Sequence, residues 1–268
     1  MAAAACTSGQ PFTQPAQPQS GPAPQTVAEP VPPTPTPSSS AKRSPAKRPY
    51  PRTPTSHATA RPRTQSGGSL PLRSSTGSAT QVITVVAAWS GSTTAVLQAW
   101  TAAGSGRWVR HGPAIWAHLG AQGLTWSPSE GRAATPIGSF TLTRSFGYYA
   151  NPGTRLPYLK TTTADWWISQ AGPFYNTHQR CTSGCSFVQG APNEHLYYET
   201  PFYNYAVVID YNTPNTGQVT QGAGSGFFLH VTDGTATAGC VAVPQGSLVW
   251  LMQWLNPADR PRILIGIG

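Results

Sequence analysis

The chain changes character near residue 80, and that break decides how much of it can fold. Residues 1–79 hold 16 of the 28 prolines, with many Ser, Thr, Ala and Gln and only Phe12 and Tyr50 as aromatics. Such a stretch buries too little apolar surface to offset its ordering entropy, so it reads as a disordered linker. The run EPVPPTPTPSSS favours extended, polyproline-like conformers and hence a stiff spacer. From Thr80 onward come all nine tryptophans and every long apolar run. Residues 80–268 are therefore expected to form one folded domain, long enough for a sizeable core.

Charge is equally uneven. Eight basic residues against Glu29 give the linker +7, whereas the folded part carries only +2. A flexible cationic tail suits the anionic polymers or membrane surface of a cell envelope. No aromatics interleave with its charges and no nucleic-acid motif follows it, so nucleic acid is not an expected partner. Ala3-Ala4-Ala5-Cys6, before a Ser/Thr/Pro/Gln-rich stretch, looks like the tail of a lipoprotein signal in which Cys6 carries lipid. The alternative is an ordinary cysteine in a disordered end. Either way the expected setting is extracytoplasmic, at the cell envelope, lipid-anchored or secreted.

Within the domain the patterns are mostly those of strands. QVITVVAAW and TTAVLQAWTAAG, divided by Ser-Gly-Ser, predict a hairpin, and GRWVRHGP a third short strand. IGSFTLTRSFG, TADWWISQ, NYAVVIDYN, SGFFLHV and RPRILIGIG supply more. Only PQGSLVWLMQWLNP reads as a helix, with Leu248, Leu251, Met252 and Leu255 on one face. The fold class is mainly β, a sandwich or open barrel with one or two short helices.

The chemistry-bearing segment is FFLHVTDGTATAGCVAVP, in which His230 ends an apolar run ten residues ahead of Cys240. A thiol needs a base beside it to act as a nucleophile near neutral pH, and histidine is the usual partner. Gly239 permits an unusual backbone and leaves no side chain above the sulfur, so the amides of Gly239 and Cys240 are candidates to hold an oxyanion. The plainer reading is a buried structural cysteine near an unrelated histidine. Asp210 and Asp233 are candidate orienters of His230. The helix after Cys240 is expected to aim its N-terminal dipole at the sulfur.

Cys181 and Cys185 in HQRCTSGC most simply form a disulfide in an oxidising compartment. A zinc reading with His178 and His195 matches no common module, and neither metal nor cofactor is expected. Cys240 is then the odd cysteine of the domain and is flagged as reactive.

His230, Gly239-Cys240 and the following helix resemble the catalytic end of L,D-transpeptidases of the YkuD type. A second block agrees: Thr135-Pro136-Ile137-Gly138-Ser139-Phe140 is similar to that family's Thr-Pro-x-Gly-x-Phe strand. The resemblance spans roughly the whole folded portion. It implies a cysteine acyltransferase that attacks the carbonyl of the third residue of a peptidoglycan stem peptide, expels D-alanine and passes the acyl group to a neighbouring amine. Carried over, Cys240 is the nucleophile, His230 the base, and Thr237 stands where the family often has Ser. Ala238, Val241 and Ala242 depart from the family's His before Gly-Cys and its Arg or Asn after, which puts the usual substrate contact in doubt. Tyr175 and Asn176 have two readings, substrate wall or turn packing. A carboxypeptidase or hydrolase on the same site, and a non-catalytic peptidoglycan-binding module, are the alternatives.

Overall fold

The computed structural model describes residues 67–268. Cys6 and most of the proline-rich segment lie outside the described residues. The predicted hairpin forms: β1 (Gln81–Ala87) and β2 (Thr94–Ala102) pair antiparallel, Val82 facing Trp100 and Val86 facing Val96. β3 (Trp108–His118) runs on beyond Pro113, where GRWVRHGP was expected to end. The pairing shifts between Leu97 and Ala99 of β2, and Pro113 sits inside that bulge, where no ladder amide is required.

Short pieces follow. β4 (Leu124–Thr125) pairs parallel with β5 (Thr135–Pro136), and IGSFTLTRSFG splits into β6 (Gly138–Thr141) and β7 (Ser145–Gly147). β8 (Tyr158–Lys160) pairs with β7, while β9 (Asp165–Ile168), β10 (Thr177–Arg180) and β11 (Glu194–His195) form a separate three-stranded sheet with β9 in the middle. β12 (Ala206–Val208), β13 (Phe228–Val231), β14 (Val241–Val243), α1 (Gln245–Trp254) and β15 (Arg262–Ile267) complete the domain. The large sheet has ten strands in the order β6-β15-β1-β2-β3-β14-β13-β12-β7-β8.

Pattern explains the layers. β1 lies in the interior of the sheet and five of its residues are completely or nearly completely buried in sequence, as a strand covered on both faces requires. Leu248, Leu251 and Met252 of α1 and the adjoining Leu255 are all fully buried, and they join Ile83, Leu97, Leu229, Val241 and Ile263 in the main core. Fully burying a side chain of this kind contributes about 1.5–3 kcal/mol. On the other face a smaller aromatic cluster gathers Phe146, Trp167, Tyr203, Phe228 and Cys240. Among the described residues no helix is long and apolar enough to cross a membrane.

The domain starts earlier than Thr80. Gly68 exchanges two backbone hydrogen bonds with Trp108, at 2.9 and 2.8 Å. Leu72 and Ala79 are buried with Val82, Trp100, Trp108 and Leu264. The two tryptophans present an apolar surface that these residues cover, so 67–79 belongs to the fold and not to the linker.

Candidate active site

The parallel pairing of β13 with β14 builds the site. Leu229 faces Val241 and His230 faces Ala242, so Cys240, two residues before Ala242, shares a face of the sheet with His230. From a strand spacing of about 4.8 Å and a rise of about 3.3 Å per residue, their Cα atoms stand about 8 Å apart. Parallel neighbours usually need a crossover of about a dozen residues or more. Residues 232–240 make the whole connection here, and the return is tightly held.

Thr237 does much of the holding. The Gly239 N–H donates to Thr237 Oγ1 at 3.0 Å, and that hydroxyl donates to the Cys240 carbonyl at 2.8 Å. Thr135 reaches the same carbonyl at 3.4 Å while accepting the Gly120 N–H at 2.8 Å. Backbone bonds from Thr237 N to Leu119 O and from Ala121 N to Thr237 O close the loop on the end of β3. Gly239 has φ of +142°, and a Cβ there would meet the Phe227 ring at 2.8 Å and the Ala134 carbonyl at 3.1 Å. Only glycine fits.

These contacts narrow what the loop can do. The Gly239 amide is committed to Thr237 and is not available to an oxyanion. Thr237 is buried and spends its hydroxyl on the turn, so it positions the loop. The helix dipole does not reach the sulfur either: β14 interposes three extended residues, about 10 Å, and the effect fades within the first turn.

Cys240 is fully buried, and its sulfur accepts the Phe228 N–H at 3.1 Å. Its burial agrees with the plainer reading of Cys240, and the reactive reading remains a proposal. The sulfur is shielded among Phe146, Trp167, Tyr203 and Phe228. Cys181 and Cys185 are joined to each other.

His230 is 1% exposed, packed edge-on against Tyr203 and Phe202. Its Nδ1 lies 2.8 Å from the Val231 carbonyl. A carbonyl only accepts, so Nδ1 carries the proton and Nε2 is a bare lone pair. That Nε2 is buried and has no hydrogen-bond partner, so no hydrogen bond joins it to Cys240. Burial pushes the pKa down to about 4, against a smaller upward pull from the Val231 carbonyl and the Asp233 charge. The orienter of His230 is thus a backbone carbonyl. Asp210 is buried elsewhere, accepting from Thr141, Thr143, Thr213 and Asn215. Asp233 caps its own turn through the amide and hydroxyl of Thr235.

A model of the L,D-transpeptidase catalytic domain, YkuD, matches residues 93–265, more than half of the chain. The chain belongs to the YkuD family. No curated protein matches it. The YkuD match begins just short of β2, so β1, which pairs with both β2 and β15, extends the sheet outside the matched residues.

Of the two readings of Tyr175 and Asn176, the structure places both as buried packing residues of the YkuD domain. The Tyr175 hydroxyl donates to Glu130, and both that carboxylate and burial raise its pKa. Asn176 has φ of +57° and accepts from Trp167 Nε1 and Gly226 N, both at 3.0 Å. Its amide donates to the carbonyls of Tyr211 and Asn212 at 3.0 and 2.8 Å. Every hydrogen-bonding atom of its side chain is spent, which leaves no group for substrate. His178 bonds Asp165, and His195 stacks on Trp166 with its Nε2 at the Thr163 carbonyl. Thr135 is the positioning residue that sequence reasoning quoted without giving it a task. Its signal was the Thr-Pro-x-Gly motif, but its target lies 105 residues away.

Proposed function

We propose that the protein is a cysteine-dependent L,D-transpeptidase acting on peptidoglycan stem peptides. The observation that carries this reading is the His230 tautomer: an unprotonated Nε2, stripped of solvent and with the ring pinned through Nδ1, on the sheet face that bears Cys240. The mechanism starts from the Cys240 thiol. His230 Nε2 takes the Cys240 proton, and the thiolate attacks the carbonyl of the third stem residue. The tetrahedral oxyanion is assigned to the Cys240 amide, since Gly239 serves the turn. Collapse breaks the peptide bond, the departing D-alanine amine takes the proton from the imidazolium, and a thioester remains. An amine of a second stem then attacks the thioester, His230 takes its proton, and the thiolate leaves. The low pKa of His230 suits proton return to a leaving amine, because burial makes the imidazolium a strong acid.

A second reading, a non-catalytic peptidoglycan-binding module, is favoured by the complete burial of Cys240. Intact mass after reduction and exposure to a carbapenem, a strained acyl donor, separates the two. An adduct on the wild type that Cys240→Ala lacks supports the enzyme; no adduct on folded, reduced protein supports the binder. Muropeptide products from tetrapeptide stems then tell cross-linking from hydrolysis. The basic residues before 67 are assigned to anionic envelope polymers or a membrane surface, in an extracytoplasmic setting, on charge alone.

A further inference from the structure

We propose that a cavity on the Cys240-bearing face of the sheet binds a carboxylate carried on an apolar body, with Arg144 as its charged anchor. Register fixes where it lies. Phe146 faces Ala206 and Ser145 faces Val207, which sets Arg144 opposite Val208; Val208 in turn faces Phe228. Continuing the β13–β14 register sets Phe228 opposite Cys240. Arg144, Val208, Phe228 and Cys240 thus form one cross-strand row. At about 4.8 Å per strand, the backbone of Arg144 is about 14 Å from that of Cys240.

The cavity holds about 260 Å³ and is walled by Phe146, Leu159, Trp167, Leu196 and Val208. Arg144 is the polar group left unspent there. Its Nε and Nη2 are buried without a hydrogen-bond partner, and it makes no ion pair among the described residues. The Trp167 ring, 5.4 Å from Cζ, offers cation–π attraction but accepts no hydrogen bond in the plane of the guanidinium. The remaining polar groups around the cavity are engaged: Ser145 with the Pro157 carbonyl, Tyr158 with the Tyr149 carbonyl, His178 with Asp165.

Buried polar groups in folded proteins nearly always have partners, and a charged one left without any demands an explanation. Nε–H and Nη2–H are the parallel donors on the side edge of the guanidinium, the pair that a planar carboxylate accepts in bidentate fashion. One positive charge inside apolar walls matches a monoanion with an apolar body; a phosphate dianion needs more donors than this site offers. The carboxylate has two sources. It belongs to the far end of the stem-peptide substrate, a source that rests on the transpeptidase reading, or to a free small acid.

The test uses the whole chain with 3-phenylpropanoate and its uncharged analogue 3-phenylpropanamide, read by NMR at Arg144 Nε–H and Trp167 Nε1–H. Saturable binding of the acid, a downfield shift of Arg144 Nε–H and at least roughly tenfold weaker binding of the amide are expected. Arg144→Gln loses at least roughly tenfold in affinity for the acid, and Arg144→Lys falls between. If Arg144→Gln does not fold, the acid–amide comparison on the wild type and Arg144→Lys decide the matter. Equal binding of acid and amide, or an unmoved Arg144 signal at saturation, overturns the proposal. An acetylated tetrapeptide stem and its fully amidated form identify the source. If the stem supplies the carboxylate, Arg144→Gln raises KM for the acid stem alone and phenylpropanoate competes with it. If a free acid does, phenylpropanoate binds while stem turnover is unchanged. The NMR readout needs no turnover, so failure of the acyl-transfer reading leaves it intact.

Discussion

Replacing Thr237 with valine tests whether this side chain builds the nucleophile loop or touches substrate. The substitution keeps the shape and removes one hydroxyl, which accepts the Gly239 N–H at 3.0 Å and donates to the Cys240 carbonyl at 2.8 Å. Both bonds are buried. The Gly239 amide is left without its acceptor, at about 1–3 kcal/mol, and the second bond is lost at about 1 kcal/mol, partly offset by the longer Thr135 contact. The expected cost is about 2–4 kcal/mol, which for a domain of this size lowers Tm by about 5–15 °C. Thr237→Ser keeps the hydroxyl and gives up one methyl, for about 1 kcal/mol. Thermal unfolding by circular dichroism measures the stability, and acylation of reduced protein by intact mass reports the site. The valine variant should be acylated more slowly even well below its melting point, because the backbone of Gly239 and Cys240 is no longer fixed. A valine variant that melts within about 1 °C of wild type and changes only KM would refute this reasoning and assign Thr237 to substrate contact instead.

Stability is expected to fall with acid through His230. Its folded pKa, about 4, lies below the ordinary 6.5, so the unfolded chain takes up a proton that the native state resists. The contribution is complete above pH 6.5 and is lost as pH falls toward 4, by about 3 kcal/mol in all. Urea midpoints across that window should slope in wild type and flatten in His230→Gln; parallel profiles would show that His230 is not buried neutral. Gly239→Ala forces a positive φ on alanine and drives its methyl into the Phe227 ring, and should cost about 2 kcal/mol or more together with acylation. A variant that is acylated at the wild-type rate would contradict that geometry. A chain beginning at Thr80 should unfold at lower denaturant than one beginning at Gly67, by about 2–4 kcal/mol, because Leu72 and Ala79 are removed from the sheet. Equal midpoints for the two would return residues 67–79 to the linker.

The sequence by itself determined what depends on near neighbours. Two strand-like runs divided by Ser-Gly-Ser wrote the β1–β2 hairpin, a 3.6-residue period marked the buried face of α1, and FFLHV followed by Gly239-Cys240 singled out the candidate pair. Its errors at this level were small and local: Pro113 hides in a bulge, and Leu70 and Leu72 look like linker until Trp100 and Trp108 are seen beneath them. The tertiary structure decided everything that depends on which partner occupies a polar atom. Thr237 and Gly239 are two residues apart, yet the role of their bond follows from a parallel return that sets Cys240 beside Phe228. Thr135 reaches Cys240 across 105 residues, and Asn176 spends itself on Trp167, Tyr211, Asn212 and Gly226. The tautomer and low pKa of His230 come from its burial, and the isolation of Arg144 from walls contributed by several strands. Periodicity records which side of an element turns inward, but it carries no information about which distant carbonyl or carboxylate is waiting there, and a buried polar group takes its properties from that partner.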